Sequence, residues 1–216
     1  MKAIFAFALS AILDVTQASG MKPGPCPSFT SQMPSDRLNH TKLGGLWYEF
    51  AYTADFTEEL PYDCASWNML MHSRNSTDQP SNFEVLHHSM NKTTGKTDFQ
   101  KHSMTCPTEF SAASQSCLLK TKDAPTVLHE YTFDKPRKFQ VVNTDMFSHM
   151  EAAVCTEYGL FHYIDYVVLT REKQPSLYTR KQVLNTLTGA LGMSDSDVQG
   201  LVKGKAFDCW GEDKYL

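Results

Sequence analysis

The chain lacks a strong excess of charge of either sign, and it lacks any apolar run long enough to cross a membrane as a helix. Its 216 residues carry 20 basic and 24 acidic side chains, for a formal net charge of −4. So small a charge favours neither nucleic acid nor an anionic membrane as a partner. The apolar stretch at residues 3–13 is far shorter than the roughly 20 residues of a membrane-spanning helix. The C-terminal residues 211–216 also lack the apolar tail of a lipid-anchor signal.

The beginning of the chain has the features of a cleavable secretory leader. Met1 and Lys2 give a short basic start, and the apolar residues 3–13 follow. Ala18-Ser19-Gly20 then offers the small residues that signal peptidase requires. We therefore expect residues 1–20 to be a signal peptide and residues 21–216 to form one secreted, extracellular domain. In a secreted chain, three Asn-x-Ser/Thr sequons predict a glycoprotein modified at Asn39, Asn75 and Asn91.

Short segments rich in β-branched and aromatic residues, separated by turn clusters, predict an all-β domain. The expected strands span residues 46–53, 65–72, 82–89, 97–104, 126–133, 138–143, 150–155 and 161–170. Eight strands joined by short turns indicate a meander, and a meander removes its exposed edges by closing into a barrel. Apolar residues then recur at helical spacing over 176–191, after a Pro-Ser cap signal, and a second short helix is expected from Ser194.

Three motifs resemble those of the lipocalin family, in the order in which that family has them. Gly45-Leu46-Trp47 resembles the Gly-x-Trp of the first strand, and Arg171 resembles the arginine that follows the last strand. Thr144-Asp145-Met146 resembles the Thr-Asp-Tyr between strands six and seven, with Met146 in place of the aromatic residue. The likeness runs from about residue 26 to residue 209. It implies an eight-stranded antiparallel up-and-down barrel with a C-terminal α-helix packed outside.

The same resemblance implies barrel closure by Trp47 and Arg171. An indole can plug the narrow end of an eight-stranded barrel. A guanidinium on its face would add a cation–π contact of about 0.5–2 kcal/mol. We expect both residues to close the barrel rather than to contact a ligand.

Six cysteines allow fifteen pairings, and their spacing alone does not choose among them. Within the family, the cysteine pattern resembles that of apolipoprotein D, insecticyanin and other bilin-binding proteins, and more loosely that of the crustacyanins. That pattern implies the disulfides Cys26–Cys155 and Cys64–Cys209, which leaves Cys106–Cys117 as a local staple around an inserted loop. With every cysteine paired, neither a thiol nucleophile nor a cysteine metal site is expected. The eight histidines give no zinc pattern either.

Side-chain alternation along each strand predicts the lining of the barrel. The expected ligand-binding residues are Glu49, Ala51, Trp67, Met69, Met71, Phe83, Val85, His87, Phe139, Val141, Tyr163, Asp165 and Val167. An apolar and aromatic lining with a few polar groups is typical of a pocket for an apolar ligand with one or two polar ends. Asp165 is the unusual member, because a buried carboxylate needs a partner. It is expected either at the wet mouth of the barrel or against a donor on the ligand, such as a pyrrole N–H.

The resemblance thus implies a secreted binding and transport protein, not an enzyme, that needs no cofactor. Biliverdin, a carotenoid, a retinoid and a fatty-acid-like lipid all remain open as ligands, and a homo-oligomer is compatible with the sequence. A pair of inward carboxylates, Glu49 and Asp165, keeps a sequestering protein for amines or lipid mediators as an alternative. His87 with these two acids would be the residues of a lipocalin-fold enzyme, although no catalytic spacing is present. A barrel filled by its own side chains, with loops that bind partners, is the third alternative.

Overall fold

The computed structural model describes residues 20–29, 40–53, 64–72, 79–90, 94–107, 116–121 and 135–203. The three predicted glycosylation sites and residues 1–19 of the predicted signal peptide lie outside these ranges. The described strands are β1 Gly20–Pro23, β2 Gly45–Tyr52, β3 Cys64–Met71, β4 Ser81–Met90, β5 Thr97–Cys106, β6 Ser116–Thr121, β7 Arg137–Thr144, β8 His149–Glu157, β9 Phe161–Thr170 and β10 Val202–Lys203. The α-helices are α1 His40–Leu43, α2 Leu177–Asn185 and α3 Asp195–Gly200, and a π-helical turn, Thr186–Ala190, continues α2.

Strands β2 to β9 form a closed, eight-stranded antiparallel barrel. Each strand pairs with the next along the chain, and β9 pairs back onto β2. Two short strands extend the sheet: β1 pairs with the first half of β9, and β10 pairs with the end of β2. The predicted barrel class is therefore confirmed.

The strand positions agree with the sequence-based expectation except at the fifth barrel strand. The strand expected over 126–133 lies outside the described residues. The strand that pairs with both neighbours is β6, Ser116–Thr121, in register with β5 through Thr105↔Leu118 and with β7 through Cys117↔Phe139. This segment has a single β-branched residue, Thr121, so its composition gives little strand signal.

Arg171 and Trp47 close one end of the barrel, as predicted. We call it the closed end, where β2 begins and β9 ends. Trp47 is fully buried, and its indole N–H donates to the carbonyl of Leu43 at 2.8 Å. The Arg171 guanidinium carbon lies 3.6 Å from the centroid of the Trp47 ring. Gly45 has a φ of +96°, and a Cβ there would meet Arg171 Nη1 at 3.0 Å, so glycine is required at this position.

Two apolar cores lie on opposite sides of the barrel wall. The interior core consists of Leu43, Trp47, Trp67, Met69, Phe83, Val85, Met104, Cys106, Cys117, Leu119, Phe139, Val141, Met146, Met150, Ala152, Val154, Val167 and Leu169. The outer core lies between the barrel and the C-terminal helices and consists of Cys26, Ala51, Val142, Ala153, Cys155, Ile164, Tyr166, Val168, Val183, Leu187, Met193 and Leu201. The position of α2 outside the barrel is thus as predicted.

The C-terminal helices begin at the predicted cap residues. The Ser176 side chain accepts the backbone N–H of Thr179 at the start of α2. Ser194 forms a capping box with Asp197 at the start of α3, which satisfies two otherwise unpaired N–H groups. The single helix expected over 176–191 is instead an α-helix followed by the π-helical turn. Within the described part of the chain, no helix is both long and apolar enough to cross a membrane.

Two of the three implied disulfides are present in the structure. Cys26–Cys155 joins the segment after β1 to β8, and Cys106–Cys117 joins the adjacent ends of β5 and β6. Cys64 is also disulfide-bonded, while its expected partner, residue 209, lies outside the described ranges.

Candidate functional site

Burial of the inward-pointing side chains changes along the barrel axis. Near the closed end, Phe83, Met104 and Leu169 are 0–1 % exposed. Halfway up, the His87 side chain is 19 % exposed and the Glu49 side chain 10 %. The half nearer the closed end is therefore sealed from solvent, whereas Glu49 and His87, nearer the opposite end (the open end), keep some exposure.

The Glu49 carboxylate and the ring nitrogens of Trp67 and His87 meet inside the barrel at this level. The Trp67 indole N–H donates to Glu49 Oε2 at 3.1 Å. His87 Nε2 lies 3.4 Å from the same oxygen. Strand pairing brings these residues together, because β3 lies between β2 and β4 and pairs Trp67 with both Trp47 and His87.

Aromatic rings form a wall beside this carboxylate. Ring centroids lie 5.1 Å apart for Trp67 and His87, 6.3 Å for Trp67 and His102, and 5.9 Å for Trp67 and Phe139. The Trp67 and His102 rings are stacked, with an interplanar angle of 18°. Such a wall is suited to a flat, conjugated ligand.

The guanidinium of Arg137, on β7, lies beside this wall. Its Nη2 lies 3.5 Å from His102 Nδ1 and donates to Thr121 Oγ1 at 3.4 Å. Burial, reinforced by the charges of Arg137 and His87, lowers the pKa of His102 to about 2. His102 is therefore neutral at physiological pH and contributes a ring surface rather than a charge.

Asp165 has a protein partner nearer the open end. The hydroxyl of Thr53, which is 5 % exposed, donates to Asp165 Oδ1 at 3.3 Å. Thr53 also accepts the backbone N–H of Tyr166 through its hydroxyl and so fixes the end of β2 against β9. Asp165 is partly buried. The carboxylate thus has a donor from the protein itself, and its position at the barrel mouth or against a ligand donor stays a prediction.

Most predicted lining residues lie where the sequence placed them. Trp67, Met69, Phe83, Val85, Phe139, Val141 and Val167 belong to the interior core. Glu49 and His87 contact Trp67 inside the barrel. Tyr163, Asp165 and Val167 occupy every second position of β9 and therefore lie on the same face of the strand. Their contact with a ligand stays a prediction.

Two predicted lining residues are corrected by the structure. Ala51 belongs to the outer core, because the pairing of β2 with β9 shifts register between Glu49 and Ala51. One extra residue in a strand reverses the faces of those that follow. Met71 lies at the end of β3, beyond the level of Trp47, and is 37 % exposed at the closed end.

Three polar residues of the interior were not predicted from the sequence, namely His102, Thr121 and Arg137. β5 and β6 carry no family motif, so nothing fixed which of their residues point inward, and Arg137 lies one residue before the strand expected over 138–143. Alternation counted back from Cys106, whose disulfide partner lies on the adjacent strand, would have identified His102. No group of three potential metal ligands is found among the described residues.

No protein-family model and no curated protein matches the sequence. Solved structures do match. Insecticyanin from the tobacco hornworm Manduca sexta has a TM-score of 0.59 at 15 % identity, over 86 % of this chain and 88 % of that one. Lobster apocrustacyanin A1 has a TM-score of 0.56 at 14 % identity, over 85 % and 89 % of the two chains. A biogenic amine-binding protein has a TM-score of 0.53 at 14 % identity, over 82 % and 84 %.

The chain has the lipocalin fold. At these sequence identities the similarity shows only the fold, so the function has to be argued from the site itself.

Proposed function

We propose that this protein is a secreted carrier that binds a small, mainly apolar ligand inside its barrel through the open end. The observation that carries the proposal is the change in burial along the barrel axis. Glu49 and His87 keep some solvent exposure, whereas Phe83, Met104 and Leu169 toward the closed end keep almost none. Aromatic rings lie beside these two residues, and removal of apolar area from water at about 25 cal/mol per Å² would drive binding.

Binding, rather than catalysis, suits the ionisable groups of the interior. The pKa of His102 is lowered to about 2, so this imidazole cannot exchange protons near neutral pH. Glu49 accepts the indole N–H of Trp67, and Asp165 accepts the hydroxyl of Thr53. Both carboxylates therefore have structural partners inside the barrel.

A titration with an apolar, environment-sensitive fluorescent dye tests the proposal. Gln100 lies on the inward face of β5, two residues above His102, and is partly exposed. A Gln100→Trp variant should fill the entrance and reduce dye affinity at least tenfold. A Lys120→Trp variant, at an exposed position on the outer face of β6, is the matched control and should bind as the wild type does. Equal binding by both variants would show that the dye does not enter the barrel.

A pigment is the ligand that the resemblance to bilin-binding proteins favours. The absorption spectrum of the protein purified from its source tests this directly. A visible band that is lost on denaturation and extraction supports a bound bilin or carotenoid, and a featureless spectrum moves the proposal to colourless lipids. N-terminal sequencing of the same material tests secretion, since the mature chain should begin close to Met21.

A further inference from the structure

Glu49 is incompletely paired inside the barrel. Both of its described contacts, from Trp67 and with His87, fall on Oε2. Within the described residues, Oε1 accepts no hydrogen bond, and it is not among the polar atoms sealed from solvent. The side chain as a whole is nine-tenths buried. A carboxylate so placed has lost most of its hydration and has recovered a single well-directed donor.

His87 presents a second polar atom to the same point. Its Nε2 is buried and has no hydrogen-bond partner in the described part of the chain, although Glu49 Oε2 lies 3.4 Å away. An indole N–H needs only a neutral acceptor, so the pairing with Trp67 does not account for a charged group here. A hydrogen-bond donor on a ligand that reached Glu49 Oε1 would give this oxygen its missing partner.

We propose that the ligand carries an N–H donor, either a protonated amine or a pyrrole-type N–H, that binds Glu49 Oε1. Its flat, conjugated portion lies against His87 and Trp67. This inference deepens the proposed function, and it disfavours carotenoids, retinoids and fatty acids, which lack such a donor. Protonated amines and pyrroles share the relevant chemistry, and the test distinguishes them.

The test is a comparison of dissociation constants for four probes by titration calorimetry and quenching of tryptophan fluorescence. Phenethylamine and biliverdin supply the two kinds of N–H donor. 3-Phenylpropionate matches phenethylamine in size but has the opposite charge, and retinyl acetate is apolar with no donor. We expect the wild type to bind at least one N–H donor more tightly than 3-phenylpropionate, and the donor that binds identifies the source.

Glu49→Gln is the decisive variant, because it keeps the acceptor for Trp67 and removes the charge. Affinity for the N–H donor should fall about tenfold to a hundredfold, as for the loss of a hydrogen bond to a charged group. Affinity for retinyl acetate, however weak, should not change. Glu84→Gln is the matched control, since Glu84 pairs with Lys101 on the outer face of the barrel.

Three results would overturn the inference: no N–H donor preferred to 3-phenylpropionate, unchanged donor affinity in Glu49→Gln, or an equal loss for retinyl acetate. The last result would mean that Glu49 only supports the Trp67 ring. Thermal unfolding of each variant verifies that it is folded. If the wild type binds retinyl acetate but neither donor, this inference fails and the carrier proposal stands. If it binds none of the four probes or the apolar dye, the carrier proposal fails as well.

Discussion

Arg171 covers the indole of Trp47 and also donates hydrogen bonds to three backbone carbonyls at the closed end. Its Nη1 donates to the carbonyl of Leu46 at 2.8 Å, and its Nη2 donates to those of Lys42 and Gly44 at 2.7 Å each. A lysine ammonium is a point charge and cannot reproduce this planar fork. The side chain thus links the end of β9 to the segment that leads into β2.

Arg171→Ala should lower the free energy of unfolding by about 3 kcal/mol, because it removes charge-assisted hydrogen bonds and the cation–π contact. Arg171→Lys should lower the free energy of unfolding by roughly half as much. Lys173→Ala is the control, since Lys173 lies 5.9 Å from the centroid of Tyr48 and should cost well under 1 kcal/mol. Urea denaturation measures all three. Equal stability of the Lys and Ala variants would contradict the role of the fork.

Glu151 should make the protein less stable as the pH rises. It is fully buried on the outer face of β8, and neither carboxyl oxygen has a hydrogen-bond partner among the described residues. Burial raises its pKa to about 8. Because the folded state holds the proton more tightly than the unfolded state, this contribution is fully present below about pH 4.5. It is lost as the pH rises to about 8.

The expected loss over that interval is roughly 4 kcal/mol, and Glu151→Gln should abolish it. Stability measured in urea at several pH values should therefore fall more steeply for the wild type than for the variant. His149 Nε2 lies 3.8 Å from Glu151 Oε1, so the comparison reports the titration of this buried pair, in which burial lowers the pKa of His149. Glu157→Gln changes an exposed acid instead and should leave the wild-type slope between pH 5 and 8 in place. Parallel profiles for the wild type and Glu151→Gln would refute this assignment.

The barrel was predictable because its strands are separated by strong turn signals and because three motifs fix its ends. Alternation then placed Trp67, Met69, Phe83, Val85 and Val167 on the inward faces of β3, β4 and β9, where the structure has them. The pairings of β3 with β4 and of β8 with β9 have no register shift, so one anchor suffices there.

The errors arose where local geometry breaks the alternation. Nothing in the composition of β2 marks the register shift after Glu49 that sends Ala51 to the outer core. A second shift, between Val141 and Asn143, puts Asn143 as well as Val142 on the outer face, where Asn143 Nδ2 donates to Thr186 Oγ1. The polar contacts among His102, Thr121 and Arg137 join three strands, and no pattern within one strand could reveal them.

The two described disulfides close loops of very different length and should differ in their effect. Cys26 and Cys155 are 129 residues apart in sequence, whereas Cys106 and Cys117 are 11 apart. Chain entropy predicts about 5 kcal/mol for the longer loop and about 3 kcal/mol for the shorter one. All four cysteines are buried, so replacement by alanine leaves comparable cavities. Cys26→Ala/Cys155→Ala should therefore melt below Cys106→Ala/Cys117→Ala, and the reverse order by calorimetry would argue against the entropic explanation.

The turn between β7 and β8 depends on the side chain of Asp145. Its Oδ1 accepts the backbone N–H groups of Phe147 at 2.9 Å, Ser148 at 2.7 Å and His149 at 3.1 Å, and its Oδ2 accepts the Ser148 hydroxyl. Met146 meanwhile adopts a φ of +67°, a left-handed conformation that is unusual for a residue other than glycine. The hydrogen bonds of Asp145 therefore help to hold the main chain in this conformation.

Asp145 should contribute stability that is lost in acid. Burial alone would raise its pKa, but hydrogen bonds from Ser148, Phe147 and His149 lower it to about 2. The contribution is therefore present above about pH 4 and disappears as the pH falls through 2. The side chain is 38 % exposed, so after screening by solvent we expect Asp145→Asn to cost about 1 kcal/mol at pH 7. The variant and the wild type should converge in stability below about pH 2. A deficit that persisted there would mean that asparagine fails sterically, and that the charge of Asp145 is not what stabilises the turn.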